Sequence, residues 1–161
     1  MQKATIQFDF EVYDSINELT PSDKTMLEAA REVTKIAYAP YSDFHVGAVA
    51  KLTNGDVVKG TNQENASFPV SICAERVLMS SAAMTHTNIP IETMAIAYHN
   101  LNGKSNKPVS PCGMCRQALV EYEDRTKHTI RLILSGMEGQ VYIIEKARML
   151  LPMSFGGGDM V

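Results

Sequence analysis

Apolar and polar side chains alternate strictly over residues 4–12, with Ala4, Ile6, Phe8, Phe10 and Val12 on one side and Thr5, Gln7, Asp9 and Glu11 on the other. That period of two predicts a half-buried strand, placed as an added sheet edge. Thr20-Pro21-Ser22-Asp23 then supplies an N-cap, a first-turn proline and a capping carboxylate, and Met26, Leu27, Ala30, Val33 and Ala37 follow at helical spacing. A helix over 21–38 is expected, stopping before Pro40. The run from His45 to Thr53 meets Asn54-Gly55 and returns through Asp56 to Gly60, a strong short-range hairpin signal. Cys73 to Met84 reads as a helix with Ala74, Val77, Leu78 and Ala82 inward, and residues 91–98 read as a strand through Ile91, Met94, Ile96 and Tyr98. A polar loop over 99–111 leads to a helix that opens at Cys112 and turns Met114, Cys115, Ala118, Leu119 and Tyr122 inward. Strands over 129–135 and 140–144, a short helix over 145–151 ending at Pro152, and a flexible Gly156-Gly157-Gly158 tail follow. With no internal repeat or linker, the pattern predicts one α/β domain over residues 1–161, a mixed sheet flanked by helices, with residues 1–20 as an N-terminal extension.

Composition narrows the function. Of the residues, 45% are hydrophobic and 20% charged, the balance of a folded core and not of a disordered chain. The longest apolar runs fall far short of the roughly 20 residues that cross a bilayer, and the N-terminus has no apolar signal region, so neither a membrane span nor a signal peptide is expected. Lys3 stands against Asp9, Glu11, Asp14 and Glu18, so the first 20 residues carry the whole net charge of −3. A neutral body without a Lys/Arg block argues against a nucleic-acid surface, where phosphate neutralisation dominates affinity; a small, weakly charged ligand fits better. Three cysteines, an odd number, suit a reducing cytoplasm better than a disulfide framework.

Those cysteines lie in Cys73-Ala74-Glu75-Arg76 and Pro111-Cys112-Gly113-Met114-Cys115-Arg116, each segment opening a predicted helix. A catalytic zinc takes three protein ligands and keeps a fourth position for water, and Cys73, Cys112 and Cys115 match that number. A ligand, any residue and Glu, followed later by Pro-Cys-x-x-Cys, is a known signature of zinc-dependent nucleobase deaminases. Three thiolates leave such a site with a net −1, which weakens its ability to acidify water. Two helix N-termini, roughly +0.5 each, offset that charge and depress the thiol pKa values, and Arg76 and Arg116 are expected to add hydrogen bonds to sulfur. Water at the site then approaches a pKa of about 7 and supplies hydroxide for attack on C4 of a cytosine ring. Glu75 is the expected proton shuttle, a role worth on the order of 10²- to 10⁴-fold. Two other readings stay open. A closed structural zinc site needs a fourth ligand from His45, His86, His99 or His128, and Cys112-Gly-Met-Cys115 at a helix start is also the form of a thioredoxin-like redox pair, although that leaves Cys73 and Glu75 without a role.

From about Ala37 to Met160 the chain closely resembles the cytidine deaminase family in its small-subunit, three-cysteine form. The resemblance rests on Ala39-Pro40-Tyr41-Ser42-Asp43-Phe44-His45-Val46-Gly47-Ala48, Gly60-Thr61-Asn62-Gln63-Glu64-Asn65-Ala66, the two cysteine segments, and Leu150-Leu151-Pro152-Met153-Ser154-Phe155-Gly156. It implies a three-layer α/β/α fold with a mixed central sheet, one zinc ion per chain, and hydrolytic deamination of cytidine and deoxycytidine in pyrimidine salvage. By the same resemblance Phe44 packs against the pyrimidine, Asn62 and Glu64 bind ribose hydroxyls, the backbone at Ala74 meets the base carbonyl, and the main chain near Ser110 accepts from the leaving amino group. It further implies a homotetramer in which Phe155 reaches a neighbour's site. The family commonly carries Tyr where Phe68 stands here. Deoxycytidylate and tRNA adenosine deaminases usually have His in place of Cys73 and need basic surface for phosphate or RNA; blasticidin-type deaminases share the cysteine set and are the second enzyme reading.

Overall fold

The computed structural model describes residues 1–160. Six strands form one sheet: β1 (Glu11–Tyr13), β2 (Phe44–Leu52), β3 (Val57–Thr61), β4 (Ile91–Asn100), β5 (Arg131–Ser135) and β6 (Val141–Ile144). Their spatial order is β1-β6-β5-β4-β2-β3. Every neighbouring pair is antiparallel except β4 with β5, and that parallel step is bridged by a helix, as a crossover connection requires. Three helices cover the faces: α1 (Pro21–Val33), α2 (Ala74–Thr85) and α3 (Gly113–Thr126).

The layers follow from the alternation of the central strands. On β4, Ala95 and Ala97 face α1, joining Leu27, Ala30, Val33, Val49 and Ile133 in one core. Met94 and Ile96 face the other way and pack with Leu78 and Ala82 of α2 and Leu119 and Tyr122 of α3. Burial on both faces explains why this strand alternates imperfectly in sequence. The result is the expected three-layer α/β/α arrangement around a mixed sheet. None of the helices among the described residues is long and apolar enough to cross a membrane.

Local chemistry sets the boundaries. Thr20 caps α1 by accepting from the Asp23 N–H at 3.2 Å, with Pro21 in the first turn. The helix expected to 38 ends at Val33 and tightens into a 3-10 turn over Thr34–Ile36, where the Thr34 hydroxyl donates back to the Arg31 carbonyl. Residues 145–151 likewise form only a 3-10 turn, Ala147–Leu150. At the hairpin, Gly55 takes φ +92°, and Asn54 Oδ1 accepts from the Asp56 N–H.

The N-terminal strand is much shorter than its alternation predicts. Residues 4–10 lack regular structure, and only Glu11–Tyr13 pair, with Val141–Ile143 of a partner strand four residues long. Phe8 and Phe10 instead pack as rings, Phe10 lying 5.0 Å from Tyr142. The tail expected to be flexible closes in a 3-10 turn over Gly157–Met160, where Asp159 accepts from the Gly156 N–H at 2.8 Å.

Candidate active site

The site lies where α2 and α3 begin. Cys73 is the N-cap residue of α2 and Cys112 that of α3, both with extended backbone, and Cys115 is wholly buried in the first turn of α3. Two helix N-termini therefore converge on the sulfurs with their unpaired N–H groups and positive dipole ends. The Cys73–Cys112 and Cys112–Cys115 sulfurs are 3.7 and 3.5 Å apart, and all three lie within 4.8 Å of one another. Tetrahedral zinc with Zn–S bonds of about 2.3 Å places its sulfurs about 3.8 Å apart, so the donor set fits this ion. Among the described residues the group is these three cysteines, and no histidine joins it. His86, for instance, sits beside Asp56 at 3.3 Å. Bringing Cys73 to the other two gives it a role that a Cys112–Cys115 redox pair leaves out.

Electrostatics at the cluster favours a bound cation. Pairing with the Cys115 thiol, helped by the Cys112 thiol and the charge of Arg76, outweighs burial and the charge of Glu75 and lowers the Cys73 pKa to about 6. Cys115 is correspondingly pushed up, first by that same bond and then by burial and the charge of Glu75. Three adjacent thiols cannot all ionise against their own repulsion, and a divalent cation removes that conflict. The expectation that Arg116 bonds sulfur is corrected: its guanidinium donates to the carbonyls of Pro111 at 2.9 Å and Leu150 at 3.0 Å. It thereby fixes the loop entering α3. Arg76 acts on Cys73 through its charge.

A cavity of about 580 Å³ opens beside the cluster, lined by Cys73, Glu75, Cys112, Phe44, Asn62, Glu64, Ser110 and others. Glu75 is only 5% exposed, and burial raises its pKa, opposed by a backbone N–H and the Cys115 thiol. A carboxyl shifted toward neutrality beside a metal site can both accept and return a proton. Phe44 forms one wall with Tyr98 stacked behind it, ring centroids 4.9 Å apart and planes 11° from parallel. Asn62 is braced against β2, accepting from the Val46 N–H at 2.7 Å and donating to the Phe44 carbonyl at 2.8 Å. Burial pushes the Glu64 carboxyl up, but the Ser42 hydroxyl and the N–H groups of Tyr41 and Ser42 outweigh it and hold the pKa below its ordinary value.

Not every expected site residue reaches this wall. Ala74, the first residue of α2, is fully buried and is not among the residues that line the cavity. Phe155 is 61% exposed and lies off its own chain's cavity, its carbonyl tied to the Gln117 amide at 2.9 Å. Conversely, Ser42, Ile72 and Val109 line the cavity without being singled out by the sequence, and Met114, expected to turn inward, is instead exposed at the cavity wall. Ser42 stands in a polar turn whose partners are distant in sequence, and the others read as ordinary apolar positions.

Residues 20–130 match the family model described as the cytidine and deoxycytidylate deaminase zinc-binding region. The cytidine deaminase of Halalkalibacterium halodurans is 34% identical over 139 residues, covering 86% of this chain and 98% of that protein. That of Mycoplasma genitalium is 39% identical over 98 residues, covering 60% of this chain and 70% of the relative. The crystal structure of cytidine deaminase from Burkholderia pseudomallei superposes with a TM-score of 0.71 at 35% identity, covering 85% of this chain and all of the other.

Proposed function

The chain belongs to the cytidine and deoxycytidylate deaminase family, and from that premise we propose that it hydrolyses the 4-amino group of cytidine and deoxycytidine, yielding uridine or deoxyuridine and ammonia. The observation that carries this reading is the clustering of Cys73, Cys112 and Cys115 at two helix starts, with buried Glu75 on the wall of the same cavity. When bound, one zinc ion per chain supplies the Lewis acidity that lets water act as nucleophile near neutral pH. Glu75 takes a proton from that water and delivers it to ring N3 as the C4–O bond forms. It then passes the second proton to the amino group as the C4–N bond breaks. Its burial raises the carboxyl's pKa and so makes it the better base for the first transfer, while the backbone N–H and the Cys115 thiol oppose that shift.

The cavity walls supply orientation. Phe44, held flat by Tyr98, is the platform for the pyrimidine, and Asn62 and Glu64 read the sugar hydroxyls. The backbone at Ala74 meets the base carbonyl, and the main chain at Ser110 accepts from the amino group. Arg76 offsets the negative charge of the thiolates. An uncharged sugar edge suits this set better than a phosphate, since among the described residues no cationic side chain is part of the cavity wall. The reading extends to a single domain acting in the cytoplasm in pyrimidine nucleoside salvage, as a homotetramer in which Phe155 completes a neighbour's site. Exposure of Phe155 beside the still more exposed Met153 supports that last step.

The test is ammonia release by the zinc-loaded protein from cytidine, deoxycytidine and deoxycytidylate. Turnover of the two nucleosides with little of the nucleotide supports the reading; preference for deoxycytidylate, or no turnover of any of them, rejects it.

A further inference from the structure

Glu64 does not stand free in the cavity wall. Its Oε2 accepts from the Tyr41 N–H at 2.8 Å and the Ser42 N–H at 3.3 Å, and its Oε1 accepts from the Ser42 hydroxyl. The same hydroxyl accepts from the Phe44 N–H at 3.1 Å, so one oxygen joins the proposed sugar reader to the base platform. A carboxylate has about four lone-pair directions. Three are filled from the Ser42 turn, which leaves one, on Oε1, for a ligand hydroxyl.

The turn itself is pinned from across the site. Asp43 adopts φ +54°, a left-handed conformation costly for a residue with a Cβ unless its surroundings hold it. Its carboxylate accepts from the Asn102 amide at 3.1 Å and its carbonyl accepts from the Leu101 N–H at 2.9 Å. Asn102 lies just beyond β4, in the loop that runs on to Cys112. Exposed Ser42 is therefore held on both sides, and its hydroxyl is the group that decides where the free lone pair of Glu64 points.

We infer that Ser42 is a positioning residue for sugar recognition, acting through Glu64; the inference rests on the sugar-reading role proposed above. Losing one charge-assisted hydrogen bond of this kind corresponds to roughly tenfold in affinity. Ser42→Ala should raise KM for cytidine about tenfold while kcat changes less than about threefold, because no reacting atom is touched. Ser42→Thr, which keeps the hydroxyl, should restore most of the loss. In a Glu64→Ala background Ser42→Ala should shift KM by less than about twofold, since the two act as a unit. Zinc content and melting temperature, measured on each variant, establish that the fold is intact. A wild-type KM in Ser42→Ala overturns the inference, as does its full tenfold effect persisting without Glu64, which would place the action on Phe44. If Glu64→Ala alone leaves KM unchanged, the sugar-reading role fails first and the inference with it, so the two failures are told apart by that single variant.

Discussion

Adding one methyl group at Gly60 should disable the site from behind. A Cβ there would lie 2.5 Å from the Ala74 carbonyl, 2.6 Å from the Leu78 N–H nitrogen and 2.9 Å from Leu78 Cβ. Ordinary contact begins near 3.4 Å, so the first turn of α2 must retreat by about 0.9 Å. That turn carries Cys73 and Glu75, whereas Cys112 and Cys115 ride on α3 and Phe44 on β2, so the shift opens the sulfur triangle and lifts the proton shuttle off the base. A misplacement of about 1 Å costs on the order of 10²-fold in rate, and overpacking costs about 1–3 kcal/mol of stability. Gly47→Ala is the comparison, since its Cβ would lie 2.3 Å from the Ala30 carbonyl on the opposite face, against α1. Both variants should melt earlier. At a temperature where both are folded, Gly60→Ala should lose about 10²-fold in kcat and part of its zinc, and Gly47→Ala far less. Wild-type kcat and zinc content in folded Gly60→Ala would refute the claim that close packing on β3 sets the position of the α2 turn.

Cys115→Ser should retain the fold and lose zinc binding, read as metal per chain after dialysis; stoichiometric zinc in that variant would deny it a ligand role. Acid stability should depend on Asp23, whose carboxyl burial pushes up but which the bidentate Arg131 pair, at 2.7 and 3.0 Å, pulls below its ordinary 3.8. A depressed folded pKa contributes stability above the unfolded value that is lost as pH falls through the folded one, so Asp23→Asn should flatten the decline in melting temperature below about pH 4; an unchanged slope would contradict this. Mixing Glu75→Gln chains with Phe155→Ala chains should restore activity if sites are shared, and failure in verified hybrids would rule the shared site out.

The legible parts of the sequence were those with a local cause. Thr20, Pro21 and Asp23 announce α1, Asn54-Gly55 announces the hairpin, and the two cysteine segments mark the helix starts that gather the sulfurs. What failed needed a partner distant in sequence. Alternation over residues 4–12 cannot reveal that β6 offers only four residues to pair with, and Arg116, directly after Cys115, gives no hint that the Leu150 carbonyl will claim it. Ser42 was invisible for the same reason, because its meaning comes from Glu64 and Asn102, brought to it by the sheet. Tyr98 reads as one more strand residue in the sequence, and only the β2–β4 register, which pairs it with Val46, brings its ring diagonally against Phe44.

The central claim is that buried Glu75 moves the protons while the three cysteines hold the metal. It is tested most directly by cytidine turnover in Glu75→Gln, compared with wild type at equal zinc content. The amide keeps the shape and the neutral charge of the protonated acid but cannot shuttle a proton, so kcat should fall by at least about 10²-fold with zinc and fold intact. Retention of about a tenth or more of wild-type kcat by the zinc-loaded variant would contradict the account, because another group would then be carrying the protons.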